Sequence, residues 1–375
     1  MGTKLTRRER LNRIFRNKEV DRPALKLWGA SSDPYLLHDA YKPVRELAYE
    51  TTDLFGWSGS SFDIFFGKRR GEFVSQSDSN IKGTQWFDRT VTWRTPRGEL
   101  RSVERCSRAG EPSYVIENFV KTPEDLEKIL SIPYEPFPFD ASQYFSADES
   151  IGDAGIAMFG LDHAGYAIHR LAGSETLAYM SADCRGLLNE LLKILSGRLL
   201  DHVREALAAG IRGVFAWVGP EVFIPPLMSP ADFEEFVFGY DKPLCDEIKN
   251  GGGCIWVHCH GKVSKLIGRF AEMGVDVLNP LEPETNKNGD VDLLAAAKEF
   301  KNKIGLEGNI ENQTLIFSDE SEIIRETERI AEALKLSGRG VMCPSSGYME
   351  IPSPTEKYIS NLLTYLKSGL DALNK

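Results

Sequence analysis

From about residue 153 onward, short apolar runs alternate with longer amphipathic stretches. IAMFG (156–160) leads into a helical stretch over 175–209, GVFAWVG (213–219) into 230–249, and GCIWVHC (253–259) into 261–273. VDVLNP (275–280), KIGLEGN (303–309) and GVMCP (340–344) precede amphipathic segments over 291–301, 319–337 and 354–373. Short continuous apolar runs suit strands covered on both faces, and helical periodicity in the intervening segments suits an outer helical layer on a parallel sheet. Ser229-Pro230 starts one of these helices, with Ser as the cap and Pro in the first turn. Six strand–helix units, with candidate strands at Ala24–Trp28 and Phe62–Phe66, bring the count near eight. That number predicts a closed barrel. No Gly-rich dinucleotide turn joins any strand to its helix, which argues against an open nucleotide-binding sheet.

The N-terminal part has a different texture. Residues 84–119 alternate polar groups with Val, Trp, Leu and Tyr, and break at Thr95-Pro96-Arg97-Gly98. Proline presets the first turn position and glycine supplies the unusual backbone angle, so this is strand–turn–strand chemistry. Thr122-Pro123-Glu124-Asp125 then reads as a helix start. The expected fold is an α/β (β/α)8 TIM barrel. It forms one domain over 1–375, with an N-terminal helical lead and a small antiparallel β-hairpin insertion at 84–119.

Composition narrows the class. The 375 residues are 42% apolar, enough for a large core, and the net charge of −10 repels nucleic-acid phosphates and anionic lipid at long range. The basic opening MGTKLTRRERLNRIFRNK lacks the apolar core of a signal peptide, and no apolar run approaches transmembrane length. Six scattered cysteines read as reduced thiols, so a cytoplasmic protein is expected, with no nucleic-acid or membrane partner.

In such a barrel the chemistry gathers at the C-terminal ends of the strands. There the chain places Asp162-His163, Pro220-Glu221, His258-Cys259-His260-Gly261, Glu282 and Glu284, Gly308-Asn309-Ile310-Glu311, and Cys343-Pro344-Ser345-Ser346-Gly347-Tyr348. Strand alternation points His258 and His260 to one side and Cys259 to the other, where it packs under a helix with Ile255 and Val257. Two imidazoles at this spacing suit Zn2+ or another divalent transition metal, with Glu221 and Cys343 as candidates to complete the shell. The plainer roles are a capping or solvated carboxylate for Glu221 and an inert buried thiol for Cys343.

The opening RRERLNRIFRNKEVDRPAL resembles the start of uroporphyrinogen decarboxylase superfamily members. The segments GPEVFIPPLMSPADFEEFVFGYDKPLCDEI, HCHGKV, EMGVDVLNPLEP and GLEGNIE resemble that superfamily in order and spacing. The likeness runs over nearly the whole chain and implies a (β/α)8 barrel. Porphyrinogen decarboxylases carry an Arg-rich segment after the first strand to grip substrate carboxylates. The corresponding stretch here, LKLWGASSDPYLLHDA, has no arginine. The corrinoid-linked methyltransferase branch, which includes coenzyme M methyltransferases and methoxyarene O-demethylases, is the better resemblance. Its zinc-binding His-x-Cys matches at His258, with His260 at the Cys position. The later zinc-binding Cys falls near Gly347 to Met349, leaving Cys343 a few residues early.

That exchange hardens the site and favours an oxygen-bearing substrate over a thiol. The resemblance therefore implies methyl transfer from a small methoxy donor to cobalamin carried by a partner corrinoid protein. Glu221 is expected as metal ligand or proton donor, and Asn309 and Tyr348 as hydrogen-bonding groups. Asp63 has a family parallel as a substrate-facing aspartate, and its plainer role is a helix cap. Trp28, Trp57 and Phe223 are expected to line a pocket or pack the core. A metal-assisted decarboxylase or lyase acting on a small carboxylate, a thiol methyltransferase and a non-catalytic binding module remain as rivals, and a homodimer is left open.

Overall fold

The computed structural model describes residues 4–31, 34–285, 287, 289–348, 350 and 353–375. The apolar runs become eight parallel strands: β1 (Ala24–Leu25), β2 (Leu54–Ser58) and, after an inserted sheet, β7 (Gly155–Gly160), β8 (Val214–Val218), β9 (Cys254–His258), β10 (Val277–Asn279), β11 (Gly305–Ile310) and β12 (Gly340–Pro344). They pair in the order β1-β12-β11-β10-β9-β8-β7-β2. The two end strands meet at a seam, where the Asp53 N–H donates to the Leu25 carbonyl at 2.7 Å. This is the expected (β/α)8 TIM barrel.

Strand alternation sorts the side chains into two apolar layers. Ile156, Met158, Val214, Ala216, Cys254 and Trp256 turn into the barrel. Ala157, Phe159, Phe215, Trp217, Ile255, Val257 and Cys259 turn out against the helices. Cys259 thus packs under the helical layer with Ile255 and Val257, as alternation predicts.

The helical lead α1 (Arg7–Phe15) closes one end of the barrel. Leu11, Ile14 and Phe15 on one helix face enter the interior cluster. The Arg339 guanidinium donates to the carbonyls of Ile14 and Phe15 at 2.8 and 3.0 Å, satisfying groups that the helix end leaves unpaired. The opposite end, where the strands finish, is left for the site.

Two elements differ from expectation. The second barrel strand is Leu54–Ser58, not Phe62–Phe66, which forms a turn. Asp63 drives that turn: its carboxylate accepts the N–H groups of Phe65 and Phe66, both at 2.9 Å. The insertion is also larger than 84–119. It is a four-stranded antiparallel sheet of β3 (Val74–Asn80), β4 (Trp86–Thr95), β5 (Gly98–Ser107) and β6 (Tyr114–Glu117). Its first strand, VSQSDSN, is largely polar and exposed, so no hydrophobic alternation announces it. Trp93 anchors the sheet against Phe65, Phe66 and Phe119. The turn at 95–98 and the capped helix Pro123–Leu130 stand where expected. Among the described residues no helix is long and apolar enough to cross a membrane.

His202 illustrates how the outer layer treats a polar ring. It stacks on Phe62 at 4.4 Å between centroids and meets Phe139 and Phe159, while Nε2 lies 3.2 Å from the Ser60 hydroxyl. Burial lowers its pKa to about 4. The unfolded chain binds this proton below about 6.5, so stability falls as pH drops from there towards about 4. The loss amounts to about 3 kcal/mol. In His202→Phe this part of the acid slope should vanish, as read by urea unfolding at neutral pH and near pH 4.5. An unchanged slope would show that the ring titrates normally in the fold.

Candidate functional site

The strand ends bring Glu221, His258, His260 and Glu282 to one region of the barrel mouth. Glu221 sits in the turn Pro220–Phe223 directly after β8. The chain reverses there through Gly219, whose φ of 129° L side chains avoid; a Cβ would also lie 2.4 Å from Tyr166. One Glu221 oxygen, Oε2, is buried without a hydrogen-bond partner. Burial raises the carboxyl's pKa, partly offset by backbone N–H groups and by His260 and His163 nearby.

His258 and His260 face each other edge to face, with ring centroids 4.5 Å apart. His260 Nδ1 lies 3.2 Å from Glu282 Oε1, and Glu282 Oε2 accepts the Gly261 N–H at 2.8 Å. Burial works against a charge on His260. The Glu282 hydrogen bond and the negative charges of Glu282, Glu221 and Glu311 outweigh it and hold the imidazole above its usual range. Burial likewise opposes the Glu282 charge, and its bonds to His260 and Gly261 prevail and keep it below the carboxylate range. Both shifts favour an imidazolium–carboxylate pairing of the two groups.

His258 is the opposite case. Burial, then the charge of His260, lowers its pKa to about 3, and Nδ1 lies 2.6 Å from Asn279 Oδ1. Behind it stands a group that lies outside the strand-end motifs. Lys26, directly after the first strand, forms a 2.7 Å ion pair with Glu307 of β11, both side chains nearly or fully buried. Asn279 Nδ2 donates to Glu307 Oε1 at 2.9 Å, and Trp256 Nε1 donates to Oε2 at 2.7 Å. The available signal is a Lys and a Glu at inward positions of otherwise apolar strands. Inward alternation also places Trp28 and Trp57 beside this group: Trp28 meets His258 and Trp256, and Trp57 meets Trp256. Phe223 instead packs in the outer core against Phe236.

The other expected site residues lie elsewhere. Asp63 caps its turn and pairs with Arg70 at 2.9 Å. Asn309 turns its amide oxygen to Arg329 of the outer helix Glu320–Ser337 at 3.1 Å, while its Nδ2 is buried without a partner. Tyr348 packs edge-on against Tyr358 of the C-terminal helix. Cys343 is fully buried in the interior apolar cluster, on a strand well removed from β9 in the pairing order. Trp28, bonded to the Pro344 carbonyl at 3.0 Å and edge-on to His258, bridges the ground between the two strands. Met349 lies outside the described residues. His163, also at a strand end, pairs with Asp241 at 3.2 Å and caps the helix Ala164–Asp183.

These placements bear on the expected metal. Each imidazole keeps Nε2 clear of the partner that holds its Nδ1, which suits a ligand nitrogen. A metal needs a third donor, and among the described residues no three His, Cys, Asp or Glu side chains come together to hold an ion. The set His258, His260, Glu221 and Cys343 therefore does not fit a metal site as arranged here. What the arrangement offers is proton chemistry: a carboxyl with a raised pKa, a hydrogen-bonded His260–Glu282 pair and a neutral imidazole beside indole rings.

A family model described as uroporphyrinogen decarboxylase (URO-D) matches residues 115–349 of the chain. No curated protein matches it significantly. Among solved structures, a methyltransferase from Methanosarcina mazei aligns with a TM-score of 0.56 and 14% identity, covering 97% of this chain and 99% of that one. A broad-specificity endoglucanase from Clostridium longisporum aligns at TM-score 0.37 and 14% identity, over 71% of this chain and 86% of that one. A D-psicose 3-epimerase from Clostridium cellulolyticum aligns at 0.36 and 12% identity, over 63% and 83%.

Proposed function

Because this chain belongs to the uroporphyrinogen decarboxylase family, we propose that it is an enzyme that moves a methyl group from a small methoxy compound to the corrinoid of a partner protein. The observation that carries this reading is the Glu221 carboxyl, with a raised pKa and one buried oxygen free of partners, beside the His260–Glu282 pair. Breaking a methyl ether leaves a charged oxygen that needs a proton, and a carboxyl that burial makes hold its proton above the ordinary carboxyl range is suited to give it. The fold likeness to a methyltransferase along nearly the full length of both chains is compatible with this reading.

The step balances within the site. The carbon–oxygen bond of the ether breaks with its electron pair on oxygen, and the Glu221 proton moves to that oxygen. The imidazolium of His260 steadies the charge while it develops. A reduced corrinoid on the partner supplies the electron pair that takes the methyl carbon. Indole rings of Trp28 and Trp57 provide apolar surface suited to an aromatic donor.

The reading is disfavoured for a porphyrinogen. Several substrate carboxylates would need cationic forks, and the cation that the first strand brings inward, Lys26, is already paired with Glu307. Incubation with a panel of methoxyarenes and a reduced corrinoid protein should give the phenol and methylated corrinoid together. Turnover of a small carboxylate without any corrinoid, with release of carbon dioxide, would overturn the proposal in favour of a lyase.

A further inference from the structure

Four polar side chains from four strands or their immediate extensions form one continuous hydrogen-bonded line through the barrel interior. Lys26 Nζ contacts Glu307 Oε1, Asn279 Nδ2 donates to the same oxygen, and Asn279 Oδ1 meets His258 Nδ1. We propose that Lys26, Glu307 and Asn279 are positioning residues that lock His258 in the Nδ1–H form and present its bare Nε2 to substrate.

The Lys26 ammonium is held between aromatic faces, 4.0 Å from the centroid of Trp28, 4.6 Å from Phe55 and 4.7 Å from Trp256. Such a cage favours the cation and keeps it from reaching the mouth. Beside it, the Glu307 carboxylate can only accept hydrogen bonds, and it accepts from Lys26, Trp256 and Asn279. Asn279 is fully buried and must therefore direct its NH2 at Glu307. The reverse orientation would set a carbonyl oxygen against a carboxylate in a low-dielectric interior.

With its NH2 committed, Asn279 offers only its oxygen to His258. An oxygen at 2.6 Å requires a donor, so the proton of the neutral ring sits on Nδ1 and the lone pair on Nε2. Trp256 supports the geometry twice, by bonding Glu307 through its N–H and by stacking along His258 with centroids 5.9 Å apart. A buried ion pair is a poor source of net stability but an effective device for fixing one arrangement. Here it fixes an amide, and the amide fixes a tautomer. The inference rests on the proposed function only for a substrate at the barrel mouth that His258 would meet; the tautomer itself is independent of which reaction follows.

The test is nitrogen NMR of the full-length protein labelled with 15N-histidine, His258 being assigned by the signal lost in His258→Gln. The wild type should show Nδ1 as the protonated nitrogen and Nε2 as the bare one at neutral pH. In Glu307→Gln, whose amide can face Asn279 either way round, the signal should move towards a mixture of both forms. A fall of about ten- to hundred-fold in kcat/KM, with the melting curve still cooperative, should accompany it. A wild-type His258 protonated at Nε2 would overturn the proposal outright, without reliance on any variant. An unchanged tautomer in a folded Glu307→Gln would remove the relay. Absence of methyl transfer with the expected tautomer in place would count against the functional reading and leave the relay standing.

Discussion

Glu221→Gln should lower methyl transfer by about two to four orders of magnitude, the range for loss of a positioned general acid. The change is nearly isosteric, and like the protonated acid the amide carries one acceptor and a donor group, so it places no new kind of polar group at the buried position. Folding should therefore be little affected. The effect should fall on kcat, because proton transfer to the leaving oxygen is needed only as the bond breaks. The pH profile separates this from a structural role. Burial raises the Glu221 pKa, so the active, protonated form persists above the ordinary carboxyl range and is lost as pH rises through the raised value. The wild type should thus show an alkaline decline that is absent in the variant, measured as kcat/KM against pH with a single methoxy donor. Retention of activity within about threefold would remove Glu221 from the chemistry.

How much of this site can be read from the chain depends on whether the signal is local. The His258-Cys259-His260 triplet carries its meaning within three residues, because strand alternation alone sends Cys259 outward and leaves the imidazoles together. Glu221 is legible for a related reason: it follows an apolar run directly. Lys26 and Glu307 are 281 positions apart, and only barrel closure makes them neighbours. No spacing rule reaches that far. Asn309 and Cys343 show the converse case. Both stand at strand ends where a site residue is expected, but one reaches outward to Arg329 and the other is enclosed in the apolar interior. A strand end fixes height along the barrel. The direction of the side chain is settled by neighbours that the sequence does not order. The second strand is mistaken for a similar reason, since Phe62–Phe66 is as apolar as Leu54–Ser58 and only the capping geometry of Asp63 makes it a turn.

Asp53→Ala should destabilise the fold by about 3–5 kcal/mol, the cost of leaving a buried ion pair half complete. Asp53 is fully buried and joins the helical lead to the barrel seam. It accepts from Arg10 at 2.5 Å, from Arg22 at 3.1 Å and from the Leu25 N–H at 2.9 Å. Removing it strands two guanidinium groups that are almost wholly out of solvent. Asp21, which also holds Arg10 but is partly exposed, cannot serve both. This gives structural content to the opening RRERLNRIFRNKEVDRP: its Arg10, Asp21 and Arg22 are joined to the barrel seam through Asp53, at the end away from the strand termini. The loss should appear as a lower urea midpoint with an unchanged slope. Asp21→Ala should cost clearly less, because water can replace part of its bond. Leu25 adjoins Lys26, so loosening the seam should also disturb the Lys26–Glu307 pair and lower activity in the folded fraction. Equal losses for Asp53→Ala and Asp21→Ala would show instead that the seam is held by apolar packing of Leu11, Ile14 and Phe15.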